Sequence, residues 1–369
     1  MIRVLHVIRA MERAGAETFI MNVYRNIDTK SIQFDFLVNA DNVCAYDHEI
    51  VERGGGIFRV PYFNVINYNS YVRSVKRFFS QHNEHPIVHG HVGLSAPVYL
   101  REARKLGKYT IAHSHGANAP LSVKELGYRI VSSQVRNTAE HFFACSKQAG
   151  LDRFGTQIVA DSNLFEVINN GIDLEKYKLS QNMHAARKER LGLSSFQVFG
   201  HVGRFANEKN HAFLLRVFCE IKRINPRSVL LLVGDGPLRK PVEDEARQLG
   251  IIDSVFFIGI VPDPRIWLEA MDVFVFPSFH EGLSLALLEA QAAGLPCVVS
   301  EAIDSSNIAS NRVCKLPLND SPSFWASKCL GFAELRNEPN SDEIESLRMM
   351  GFDIRDTAKK MEEFYLSHA

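Results

Sequence analysis

The chain of 369 residues is 46% hydrophobic, enough for two domains with complete cores, and its 42 basic and 42 acidic residues cancel to zero net charge. That balance gives no footing for a nucleic-acid partner, and no stretch reaches the roughly 18 apolar residues a membrane span needs. Six scattered cysteines (Cys44, Cys145, Cys219, Cys297, Cys314 and Cys329) lack CxxC spacing and read as reduced core residues, not as zinc ligands or disulfides.

The opening, Met1 to Arg9, has the make-up of a strand rather than a signal peptide, so a cytoplasmic protein is expected. Apolar runs then alternate with amphipathic segments at Val4 to Ile8, Phe34 to Val38, Ile57 to Val60, Ile87 to Gly90, Tyr109 to His113, His141 to Cys145 and Glu166 to Ile168. They continue at Val198 to Val202, Val229 to Gly234, Val255 to Ile258, Val273 to Phe276 and Cys297 to Ser300. This rhythm predicts an α/β chain with two parallel sheets flanked by helices, joined at the turn-rich segment Asn169 to Asp173. In such folds ligands bind at the carboxyl ends of the strands.

After the first strand, Gly15 opens a helix and lets backbone come close to a phosphate, although the dinucleotide fingerprint G-x-G-x-x-G is absent. Basic residues cluster at helical spacing at Arg73, Lys76 and Arg77 and at Arg101, Arg104, Lys105 and Lys108. Solvated helix faces account for both clusters, and a surface for an anionic membrane is the second reading. His113-Ser-His115 ends a strand and puts two imidazoles within reach of a sugar hydroxyl. No supporting carboxylate cluster stands nearby and the chain has no Asp-x-Asp, so a divalent metal lacks its usual ligands.

In the second half, Gly203 leads a loop carrying Arg204 and Lys209, two cations suited to neutralising a departing diphosphate. Paired surface charges, with Lys209 on Glu208, are the plainer account. Phe276 to Pro296 is the most informative segment: a strand, a turn with Glu281, and a helix expected over Leu283 to Ala293 that carries Glu289 and stops at Gly294. The free amides of Gly282, Leu283 and Ser284 at its start favour an anion, and Glu289 can accept hydrogen bonds from ribose hydroxyls. A nucleotide diphosphate joined to a sugar presents those groups in that order.

Gly203-Arg-Phe-x-x-Glu-Lys209, Gly234-Asp-Gly-Pro237, the Glu281-x7-Glu289 pair and Asn170-Gly-Ile-Asp173 together resemble the retaining GT-B glycosyltransferases of family 4. The resemblance covers essentially the whole chain, and Ala14-Gly15-Ala-Glu-Thr18 and Ala112-His-Ser-His115 are similar to its bacterial capsular and exopolysaccharide branch. It implies two Rossmann-like domains facing a central cleft: an acceptor domain at residues 1–168, to which 355–369 return, and a donor domain at 169–354. By the same resemblance Gly15 and the amides of Gly282, Leu283 and Ser284 contact the donor diphosphate in company with the Gly203 loop, while Arg204 and Lys209 neutralise it. Glu289 would hold the ribose, Glu281 the sugar hydroxyls, and His115 the sugar near its anomeric carbon.

The implied activity is metal-independent transfer of a hexose or N-acetylhexosamine, with retention, from a nucleotide sugar, UDP being the family-weighted base. The implied acceptor is a saccharide, lipid-linked in a surface-polysaccharide pathway, and no cofactor is expected. Ala14 stands where family members often have a second glycine, which weakens the phosphate assignment at Gly15. A nucleotide-sugar epimerase or hydrolase on the same fold, or a non-catalytic partner subunit, are the alternative readings.

Overall fold

The computed structural model describes residues 1–116, 123–177, 183–281, 283–337 and 343–369, and these form two units, Met1–Gly171 with Asp353–Ala369, and Ile172–Phe352. In the first unit the strands are β1 (Ile2–Ile8), β2 (Ile32–Val38), β3 (Ile57–Arg59), β4 (Ile87–His91), β5 (Tyr109–Ser114), β6 (His141–Ala144) and β7 (Phe165–Val167). They make one parallel sheet in the order β3-β2-β1-β4-β5-β6-β7. The second unit holds β8 (Gln197–Val202), β9 (Ser228–Val233), β10 (Val255–Gly259), β11 (Val273–Phe276), β12 (Cys297–Ser300) and β13 (Val313–Leu316), parallel in the order β10-β9-β8-β11-β12-β13.

Helices cover both faces of each sheet, so central strands are buried on both sides and read as continuous apolar runs; β2 is buried at all seven positions. Each sheet accordingly separates two apolar clusters, one on each face. The order reverses between β1 and β4 and again between β8 and β11, and loops leaving the strands at such a switch point splay apart and leave room for a ligand. The first unit is completed by the last helix, Ile354–Ser367, which buries Ile354, Ala358, Met361 and Tyr365 at helical spacing and packs on the helix Gly15–Asn26.

Two expectations change in the structure. The helix carrying Glu289 runs over Leu285–Ala292, starting two residues later than the apolar pattern indicated, because Ser284 is extended (φ −94°, ψ 104°) and its amide donates to Asn307 Oδ1 at 3.0 Å. Lys108 is not part of a basic face: it is buried, and its ammonium donates to the His85 carbonyl at 2.8 Å.

Candidate functional site

The loops after β8, β9 and β11 are tied to one another by backbone. Phe205 N–H donates to the Asp235 carbonyl at 3.1 Å, and Phe279 N–H to that of Glu208 at 2.8 Å. Asn210, held left-handed at φ 55°, donates through Nδ2 to the Pro277 carbonyl at 3.1 Å. Two glycines allow this nesting. A Cβ on Gly234, whose φ is +130°, would lie 2.1 Å from the Gly203 carbonyl oxygen, and a Cβ on Gly203 would press on His201 and the Lys209 stem.

Within this nest Lys209 Nζ meets Glu281 Oε1 at 2.5 Å and lies 4.8 Å from the centre of the Phe276 ring. The partner of Lys209 is therefore Glu281 and not Glu208. Arg204, in the same loop, is exposed and makes no ion pair with a described residue. A cation held by a carboxylate and an aromatic face, with a second, exposed cation in the same loop, is suited to receiving a multiply charged anion.

Glu289 lies one helical segment further on, half-buried, with the buried Tyr177 as hydrogen-bond partner. Burial, reinforced by the nearby charge of Asp263, pushes its carboxyl up to about 8. At the head of the helix the Ser284 amide is already taken by Asn307, whose own carbonyl accepts from Gln291 Nε2 at 2.7 Å. Leu283 is half-buried, and Gly282 lies outside the described residues.

In the first unit Gly15 sits in the opening turn of its helix, exposed, and a Cβ there would meet nothing within 4 Å. His115, one residue beyond β5, pairs through Nε2 with His91 Nδ1 at 2.7 Å, and His91 Nε2 pairs with His6 Nδ1 at 3.0 Å. Alongside, His113 Nδ1 pairs with His89 Nε2 at 3.1 Å, and His89 Nδ1 with the Tyr365 hydroxyl at 2.6 Å. Parallel register creates this ladder: His6 stands opposite His89, and His91 opposite His113. Burial lowers all five imidazoles, His115 to about 4 against the opposing contact with Asn170, and His6 to about 3. Among the described residues His89, His91 and His113 bring one ring nitrogen each within 4.8 Å of one another, a grouping that could hold a metal ion.

The ladder ends at a cavity of about 540 Å³ lined by Arg9, Glu17, Tyr62, Phe63, His91 and His115 among others. Arg9 lies 5.5 Å from the centre of the Tyr62 ring, and desolvation raises the Glu17 carboxyl. Aromatic side chains together with charges of both signs suit a polyhydroxylated ring that carries an ionic group. Sequence reasoning had passed over Tyr177, Asn307, His6, His89 and His91. Each acts on a residue far away in the chain, and only the fold's register joins them.

The model of glycosyl transferases group 1 matches residues 196–333, and that of Glycosyltransferase Family 4 matches residues 13–176. A putative glycosyltransferase of Bacillus subtilis, EpsF, is 35% identical over 362 residues, covering 96% of this chain and 93% of its own. The chain belongs to glycosyltransferase family 4. The Escherichia coli UDP-Gal:alpha-D-GlcNAc-diphosphoundecaprenol alpha-1,3-galactosyltransferase is 35% identical to this family 4 transferase over 175 residues, 46% of the chain and 45% of its own length. HepE of Anabaena, solved in complex with UDP-glucose, superimposes with a TM-score of 0.78 at 17% identity over 100% of both chains. At that identity the likeness establishes the fold, two Rossmann-like sheets of the GT-B class. No described helix of the transferase is long and apolar enough to cross a membrane.

Proposed function

We propose that this transferase moves a hexosyl or N-acetylhexosaminyl unit from a UDP-sugar to a lipid-linked saccharide acceptor, with retention and without a metal ion, in the making of a surface polysaccharide. The observation that carries the reading is the pairing of Lys209 with Glu281 directly ahead of the Glu289 helix. In this reading Lys209 and Arg204 neutralise the diphosphate as the glycosidic bond breaks, Glu281 holds sugar hydroxyls, and Glu289 accepts from the ribose. The backbone at Gly15, Gly203, Gly282 and Leu283 approaches the phosphates, and the Ser284 amide joins them by exchanging Asn307 for a phosphate oxygen. In the same reading His115, its ring steadied by His91, contacts the donor sugar near its anomeric carbon, and the cavity it borders receives the acceptor. The leaving phosphate assists deprotonation of the acceptor hydroxyl, so no further protein base is required.

The donor and acceptor named for the Escherichia coli relative support the UDP-sugar and the lipid-linked saccharide. The test is a thermal-shift series with UDP, GDP and ADP, with and without EDTA, followed by turnover assays. UDP is expected to raise the melting temperature unchanged by EDTA, and Lys209→Ala to lower kcat by roughly 10²–10³-fold while folding normally. Full turnover in the variant would remove the diphosphate role. Consumption of the donor with no acceptor present would favour the epimerase or hydrolase alternative.

A further inference from the structure

The loop between β3 and the helix Tyr68–Gln81 holds apolar side chains out in water. Ile66 is 95% exposed, Val65 54%, Tyr62 52% and Tyr68 41%. Val65 adopts φ 60°, a left-handed conformation that β-branched residues avoid. A clamp of two asparagines maintains it: Asn64 N–H donates to Asn67 Oδ1 at 3.1 Å, Asn67 N–H to Asn64 Oδ1 at 2.9 Å, and Asn67 Nδ2 to the Tyr62 carbonyl at 2.7 Å. The conformation thus turns Val65 and Ile66 outward, while Tyr62 and Phe63 at the base of the loop line the 540 Å³ cavity.

The exposed charges on the two flanking helices are of one sign. The helix that follows the loop exposes Arg73, Lys76 and Arg77 on the side opposite its buried Tyr71, Val75, Phe78 and Phe79. The helix Ala96–Arg104 packs beside it and adds Arg101 and Arg104, with Lys105 just beyond. The acid between them, Glu102, is buried, 2.7 Å from Lys105 and 3.8 Å from Lys76. An apolar tip followed by a basic face matches the cross-section of an anionic bilayer surface, apolar at the acyl boundary and negative at the headgroups.

We propose that residues 61–67 form a membrane-insertion tip. Val65 and Ile66 enter the acyl boundary of an anionic bilayer, Arg73, Lys76, Arg77 and Arg104 meet the headgroup phosphates, and the rim of the cavity is thereby held at the bilayer surface. The proposal rests on the lipid-linked acceptor reading and says where such an acceptor is taken up. It requires no particular donor.

The experiment uses the full chain carrying Ile66→Trp, with vesicles of phosphatidylcholine and phosphatidylglycerol in equal amounts. The two native tryptophans, Trp267 and Trp325, belong to the other unit and supply a constant background. A blue shift on adding vesicles, with quenching by bromine-labelled acyl chains, is expected. Val65→Asn combined with Ile66→Ser should weaken co-sedimentation with these vesicles by roughly tenfold. The double variant should melt no lower than the parent, because asparagine accepts the left-handed conformation, and its turnover on a water-soluble acceptor should be unchanged. Absence of quenching overturns the proposal. So does co-sedimentation that falls in Arg73→Glu/Arg77→Glu but not in the double variant, since binding would then be electrostatic only. Self-association without lipid that the double variant abolishes would assign the tip to a protein contact and also overturn it. Vesicle binding is read without substrates, so failure to transfer sugar would fall on the proposed function and leave this result standing.

Discussion

At Glu289 a single proton links burial to stability. Its carboxyl is raised by burial to about 8, from an ordinary value of 4.5, so the folded protein keeps a proton that the unfolded chain has released between those two values. The unfolded state binds fewer protons across that window, and stability must therefore fall as pH rises from about 5 to 8, with a limiting slope of about 1.4 kcal/mol per pH unit. Glu289→Gln preserves the shape and the acceptor for Tyr177 and should abolish this component, a difference that denaturant titrations of both proteins at pH 5 and pH 8 would reveal. A parallel pH dependence in the two proteins would show that Glu289 ionises normally. If ribose hydroxyls bind the carboxylate form, UDP affinity should also rise with pH up to about 8. Both glutamates and Lys209 could be singled out from their own segments. The partner of each could not, because Tyr177 precedes Glu289 by more than a hundred positions and Glu281 reaches Lys209 only across loops that the sheet brings together.

At the level of elements, the start of the Leu285–Ala292 helix is set by tertiary contact more than by its sequence. Ser284 forms no side-chain cap bond, and the Asn307 side chain serves its amide instead. Asn307→Ala would leave that buried N–H without its partner, at a cost of roughly 1–3 kcal/mol, and would lower the melting temperature. Bound phosphate would compensate, so the deficit should shrink in saturating UDP; an equal deficit with and without UDP would separate the helix start from the ligand. The same distinction explains how legible the elements were. Twelve strands announced themselves as apolar runs, whereas β13, Val-Cys-Lys-Leu, did not, since it is a half-buried edge strand with a lysine in it. His113 and His115 were visible as a motif. The ladder they belong to was not, because it is made by register between β1, β4 and β5, and register is not written in any one strand.

For the molecule as a whole, the two units differ in how the chain builds them. Ile172–Phe352 is continuous except for its undescribed residues, whereas the first unit needs the chain to return as Asp353–Ala369. That return segment belongs to the core. Ile354, Met361 and Tyr365 are at most 1% exposed, and burying three such side chains contributes about 1.5–3 kcal/mol each, comparable with the whole net stability of a typical domain, about 5–15 kcal/mol. Tyr365 also closes the histidine ladder at His89, so its loss would leave a buried imidazole nitrogen unpaired. A chain ending at Phe352 should therefore lose the slowly exchanging amides of β1, β4 and β5 while keeping those of β8, β9 and β11. Hydrogen exchange measured by mass spectrometry would show the contrast. UDP should still protect the second unit of the truncated chain, because the residues proposed to hold the donor there, Gly203, Arg204, Lys209, Glu281 and Glu289, all lie within it. Loss of that protection, with the second sheet still slow to exchange, would mean that donor binding draws on the first unit, and Gly15 and His115 are the residues to test next.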